Sequence, residues 1–181
     1  MLGLPSPVPP TPSFKHGVIA SYAPGIDAFV ETGTYQGDTI EAVRSWFRSV
    51  WSIELSHVLA ARAQQRFAGS SNVRILEGDS AVVLPTILPE LGEPCVFWLD
   101  GHWCGGETAH GDGETPLLVE LTAVLARSYR DIILVDDARL LGTRGYPSSE
   151  MIADLVDRAR PARALTIRHD IARIVPVGDP P

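Results

Sequence analysis

Lysine is almost missing from this chain: Lys15 is the only one, against fourteen arginines. Acids outnumber bases, 22 to 15, and no basic patch offsets the net charge of -7, which argues against general nucleic-acid binding. Cysteine is scarce too. Cys95 and Cys104 lie in unlike surroundings and make a poor disulfide pair, so a reducing, cytoplasmic location is expected. No apolar run approaches the roughly 20 residues that a membrane-spanning helix needs. The first residues also lack the basic-then-apolar pattern of a secretory signal.

What remains is an ordinary globular composition. A chain of 181 residues, 45% hydrophobic and 20% charged, suits one domain with a substantial core. Prolines crowd the start (Pro5, Pro7, Pro9, Pro10, Pro12), so residues 1–13 read as an extended or disordered arm and 14–181 as the domain. Beyond the arm, strand-like and helix-like segments alternate. Strands are expected at Ala28–Glu31, Val50–Glu54, Val73–Glu77, Cys95–Leu99 and Ile132–Val135. Helices are expected at Asp38–Phe47, Ser56–Phe67, Ser80–Leu88 (stopped by Pro89), Pro116–Ala126 and Ser149–Arg158. Ala164–Arg168 and Ala172–Val175 read as a closing hairpin. The fold class is therefore α/β: a Rossmann-like, doubly wound, mostly parallel sheet ending in an antiparallel hairpin. In such sheets ligands bind beyond the carboxyl ends of the strands. Five successive strand ends carry an acid there: Glu31, Glu54, Asp79, Asp100 and the pair Asp136-Asp137.

Residues 26–39 hold the densest signal. An apolar run ends in Glu31, then Gly33 and Gly37 bracket a turn that opens into an amphipathic segment. The order is Glu-x-Gly-x-x-x-Gly, with the acid ahead of the glycines. A carboxylate at the strand end favours a cationic group, so the turn suits an adenosine ligand with a positive centre better than a pyrophosphate.

With these residues in place, the chain resembles the class I S-adenosylmethionine-dependent methyltransferases across roughly residues 26–176. The resemblance implies that Glu31, Gly33, Thr34, Tyr35, Gly37 and Thr39 approach the methionine end of S-adenosylmethionine. It implies that Glu54 accepts from both ribose hydroxyls, and that Asp79 and Ser80 lie by the adenine. Phe97-Trp98-Leu99-Asp100-Gly101-His102-Trp103 and Ile133-Leu134-Val135-Asp136-Asp137 look like the metal segments of catechol- and macrocin-type O-methyltransferases. On that likeness Asp100, Asp136 and Asp137 hold Mg2+, and Asp100 also borders the cofactor. The bland alternative is that Asp136 caps a loop and Asp137 is solvated. The acceptor is then a small-molecule hydroxyl.

The departures are informative. Catechol-type enzymes carry a lysine after the first metal acid, where this chain has Gly101-His102-Trp103-Cys104. A lysine base near the metal is accordingly excluded; His102 is the best replacement as catalytic base beside Asp100, the bland alternative being that it only orients a ligand or caps the loop. No long N-terminal helical segment is expected over the substrate. The arm, a partner subunit (a second copy in a homodimer), or neither would then cover the site.

The glycine-rich stretch 101–115 is expected to line the acceptor pocket, with Trp103 either stacked on an aromatic acceptor or buried. His102, Cys104, His110 and Asp112 match no common zinc spacing. A second substrate loop is expected at Ala138–Ser148, with Arg139, Arg144 and Tyr146. Two other classes stay open: a cofactor-binding subunit without methyl transfer, and a metal-dependent hydroxylase- or hydrolase-like enzyme on the same acids.

Overall fold

A computed structural model of the chain describes residues 9–101, 115–143 and 145–178. Besides two short 3-10 turns, the described chain runs through thirteen α-helices and strands. They are α1 (Pro12–Tyr22), β1 (Ala28–Thr32), α2 (Asp38–Val43), β2 (Ser49–Glu54), α3 (His57–Arg66), β3 (Val73–Glu77), α4 (Ser80–Ile87), β4 (Cys95–Leu99), α5 (Leu117–Leu125), β5 (Ile132–Val135), α6 (Ser149–Arg158), β6 (Arg163–Arg168) and β7 (Ile171–Pro176). They build one sheet of seven strands in the order β3-β2-β1-β4-β5-β7-β6. The five strands from β3 to β5 pair in parallel, and β7 runs antiparallel to both β5 and β6. This is the expected doubly wound sheet with a closing hairpin. Among the described residues no helix is long and apolar enough to cross a membrane.

Helices cover both faces, which is why β1, β4 and β5 are apolar almost throughout. On one face Val30, Phe97, Leu99 and Ile133 pack with Leu84, Leu121 and Ile152. On the other Phe29, Val96, Trp98 and Leu134 pack with Ile19, Ile40 and Phe67. Hydroxyl and carboxylate side chains start the helices: Thr11, Ser56, Asp79 and Ser148 each accept a backbone N–H of the first turn.

Two boundaries differ from expectation for visible reasons. The helix expected over Asp38–Phe47 ends at Val43, because Trp46 N–H bonds to Val43 and tightens the chain into a turn. That turn lets Phe47 stack on Phe29, with ring centroids 5.2 Å apart, and Asn72 Nδ2 donates to the released carbonyls of Arg44 and Phe47. Pro89 does not simply stop a helix; it lies inside a 3-10 turn, Leu88–Glu90, that continues α4.

The larger difference is α1. The boundary placed after residue 13 falls inside this helix, and residues 1–8 lie outside the described residues. Thr11 caps α1 and Pro12 takes its first position, where a missing N–H costs nothing. Ile19 is fully buried against the sheet, and Phe14 meets the His169 ring edge-on with centroids 5.0 Å apart. A helical segment thus precedes β1 after all, and it carries the only lysine.

Candidate functional site

Parallel pairing lines up the carboxyl ends of β2, β1, β4 and β5, and the chain leaves each strand beside its neighbour. Gly33 N–H donates to Ile53 O (2.9 Å), Asp100 N–H to Thr32 O (3.2 Å) and Asp136 N–H to Leu99 O (3.0 Å). Glu31, Glu54, Asp100 and Asp136 are brought together at this edge as expected. His102 lies outside the described residues, as do Trp103, Cys104, His110, Asp112 and Arg144.

The glycine turn shows why its residues are needed. Gly33 has φ +83°, and a Cβ there would stand 2.6 Å from Asp100 O. Only a hydrogen lets the turn pass so close to the end of β4. Gly33→Ala is expected to lower stability by about 2 kcal/mol through left-handed strain and overlap. Urea unfolding measures it; an unchanged midpoint would mean the end of β4 retreats freely. Gly37, with φ +81°, opens α2 and faces the Phe67 ring, which a Cβ would meet at 2.7 Å. Between them Tyr35 takes φ +49° and keeps half its surface exposed (53%), standing out beside the strand ends.

Below the turn lies a buried hydroxyl network. Ser52 Oγ donates to Glu31 Oε2 (2.6 Å) and also meets Thr34 Oγ1 (2.6 Å). Burial pushes Glu31 up to about 8, against the hydrogen bonds of Ser52 and Thr39 and helped by the nearby charges of Asp100 and Glu54. Glu54 is held differently. Its Oε2 accepts Tyr35 N–H (2.7 Å) and its Oε1 accepts Ser56 N–H (2.9 Å), so the carboxylate spans the glycine turn and the start of α3. Each oxygen has a further lone pair for a ligand. Asp79 caps α4, accepting Ala81 N–H at 2.9 Å, and Ser80 begins that helix close to Gly101.

The two acids after β5 are buried, and Asp100 after β4 is half-buried. Lys15 Nζ, from α1, donates to Asp136 Oδ2 and stands 3.7 Å from Asp137 Oδ1. Burial pulls the Lys15 ammonium down, but its bond to Asp136 and the charges of Asp136, Asp100 and Asp137 outweigh that and raise it. On the Asp136 side, burial and Asp100 push the carboxylate up while Lys15 pulls it down. The direct contact with an ammonium favours the ionised pair. Asp137 takes φ +52° and accepts from Arg139 Nη1 (2.6 Å), which also pairs with the buried Asp170 in the β6–β7 turn. The expectation that no lysine lies near these acids is therefore overturned. Proximity in sequence to Asp100 pointed away from Lys15, whereas the fold brings it in from a helix 121 residues before Asp136.

One more acid belongs here and was not singled out in the sequence. Glu120, on α5, is fully buried beside Thr32, Ser80 and Gly101. Burial raises its carboxyl to about 7, with the neighbouring Ser80 and Thr32 hydroxyls opposing and the charges of Asp79 and Asp100 adding to the rise. Its signal was legible: Leu117, Glu120, Leu121 and Val124 share one helical face, so an acid sits on the buried stripe. Glu120, Asp100, Asp136 and Tyr146 line a narrow recess of about 10 Å³ at the strand ends. A wider hollow between α5 and α6 contains none of the strand-end acids.

No family model matches the chain, and no curated protein matches it by sequence. Solved structures do match it in shape. The S-adenosylhomocysteine-bound methyltransferase PaMTH1 of Podospora anserina superposes with a TM-score of 0.61 at 18% identity, over 94% of this chain and 80% of that one. The O-methyltransferase TomG of Streptomyces achromogenes, which acts in tomaymycin synthesis and was solved with S-adenosylmethionine, gives 0.59 at 15%, over 96% and 83%. The 23S rRNA methyltransferase ErmE gives 0.58 at 16%, over 96% and 71%. The chain has the Rossmann-like fold of the class I methyltransferases.

Proposed function

We propose that this chain is an S-adenosylmethionine-dependent methyltransferase acting on a hydroxyl of a small molecule. The observation that carries the reading is Glu54: a carboxylate at the end of β2, fixed by Tyr35 and Ser56 N–H groups, with lone pairs left for a vicinal diol. Gly33 and Gly37 supply the close-passing backbone beside it, and Tyr35 and Thr34 flank the methionine end. Glu31, near the end of β1, is held up to about 8 by burial and would ionise with a cationic centre beside it. Asp79 and Ser80 border the adenine side. S-adenosylmethionine fits this set, and it would supply a methyl group on a sulfonium whose electron pair stays with sulfur as the thioether leaves.

The chain's own residues would manage the acceptor. Its hydroxyl oxygen forms the new bond to the methyl carbon, and its proton passes to His102 or to Asp100. A cluster of acids with one ammonium suits an oxygen acceptor, and the net charge of -7 disfavours a polynucleotide such as ErmE's name implies for that enzyme. A cytoplasmic setting, where thiols stay reduced, suits the buried free thiol of Cys95.

The Mg2+ implied by the resemblance does not fit the acids as the fold holds them. Asp136 and Asp137 already face Lys15 and Arg139, and among the described residues no three His, Cys, Asp or Glu side chains converge as a metal shell. No step is assigned to a metal.

Calorimetric titration with S-adenosylhomocysteine tests the reading. Micromolar binding with one site per chain is expected; well-folded protein that takes up none would end it.

A further inference from the structure

We propose that Lys15 is the resident cation of the Asp100, Asp136 and Asp137 cluster: its ammonium fills the place a divalent metal would take and presents an N–H to the acceptor oxygen. The inference rests on the methyltransferase reading for the acceptor, and on geometry alone for the cation.

Three observations converge. Lys15 Nζ bonds directly to Asp136, whose side chain is fully buried, and lies within ion-pair distance of Asp137. The charge of Asp100 acts on the same ammonium. Arg139 holds Asp137 from the other side and ties it to Asp170, which leaves Lys15 as the cation bonded to Asp136.

The helix that brings Lys15 is firmly seated. Ile19 is fully buried, Thr11 caps the first turn and Phe14 packs on His169. Lys15 is therefore held in place by α1 and does not arrive on a loose tail.

The residue type is informative. In a chain with fourteen arginines, this position carries the single lysine. A guanidinium is a planar fork suited to one carboxylate, whereas an ammonium is a compact point charge that several carboxylates can surround, as they would a metal ion. An ammonium also has three donors. Asp136 takes one, and Asp137 at 3.7 Å is beyond a normal hydrogen bond. The Lys15 side chain keeps 21% of its surface exposed, so the remaining donors can reach a bound molecule. Among the described residues, a cationic donor of this kind beside the ends of β4 and β5 would select an acceptor with an oxygen lone pair or negative charge at its reacting group.

The test is a thermal-shift and calorimetric titration of the full chain with Mn2+ and with S-adenosylhomocysteine, on wild type, Lys15→Met and the Lys15→Met/Asp136→Asn double variant. Methionine keeps the aliphatic stem of Lys15 and removes the charge. Wild type is expected to show no Mn2+ site tighter than about millimolar, and Lys15→Met to gain one at least tenfold tighter, lost again in the double variant. Submillimolar Mn2+ binding by wild type, or no gain in Lys15→Met that still melts cooperatively, would overturn the proposal. If Lys15→Met does not fold, Lys15→Ala rescued by Mn2+ or by added methylammonium supports it, and failure of both to restore the melt counts against it. The S-adenosylhomocysteine arm separates the two readings: wild type that binds none defeats the methyltransferase function, while the Mn2+ arm still decides the cation.

Discussion

Glu54→Ala is expected to weaken S-adenosylhomocysteine binding at least a hundredfold, about 2.7 kcal/mol. Two losses add in this variant. The ligand loses the acceptor for its ribose hydroxyls, a charge-assisted pair worth more than neutral hydrogen bonds. The protein loses the tie between Tyr35 N–H and Ser56 N–H, which Glu54 now spans with bonds of 2.7 and 2.9 Å. Since Tyr35 already stands at φ +49°, releasing its N–H frees the glycine turn to relax out of shape. Glu54→Gln separates the terms. Its amide oxygen can still accept from one backbone N–H, so the turn stays closer to its shape, and binding should fall only about tenfold. Calorimetry on both variants reads the ratio. Equal affinity for Glu54→Ala and wild type would remove the ribose role and, with it, the main support for S-adenosylmethionine as the ligand.

Much of the fold was legible because it is written in strong periodicity. Val73–Glu77, Cys95–Leu99 and Ile132–Val135 end where expected: the last two are short apolar runs, and the first is a short β-branched segment that carries Arg74 and ends in Glu77. The strand-end acids followed from the same reading: in a parallel sheet the residue after each run is carried to one edge. The helix α1 was hidden for the opposite reason. Its sequence, from Pro12 to Tyr22, holds a glycine and gives little apolar stripe, with Ile19 alone fully buried. The usable signal was the pair Thr11-Pro12, a capping residue followed by a proline at the first helical position. Missing that helix hid the partner of Asp136. Lys15 reaches the acids through tertiary packing of α1 on α2 and β4, and no spacing within the chain encodes that.

Glu120 offers the second large effect, and it appears as a dependence on pH. Its carboxyl titrates near 7 in the folded chain, against an ordinary value of 4.5, chiefly because it is buried. A raised acid holds its proton more tightly folded than unfolded. Between about pH 4.5 and 7 unfolding therefore releases a proton, and stability falls as the pH rises through that window, then levels off. The difference of about 2.5 pH units corresponds to about 3 kcal/mol at pH 8, or roughly 6–12 °C in melting temperature for a chain of this size. Glu120→Gln keeps the shape and cannot ionise. It should match wild type below pH 5 and melt higher above pH 7. Glu31, raised to about 8, contributes a loss of the same sign and leaves a residual slope in that variant. Melting curves from pH 4.5 to 8.5 decide the matter: parallel profiles for wild type and Glu120→Gln would mean that Glu120 is solvated or paired when ionised. A diverging pair would establish an acid that keeps its proton near neutrality beside Asp100, at the edge of the sheet where the acceptor's own proton has to go.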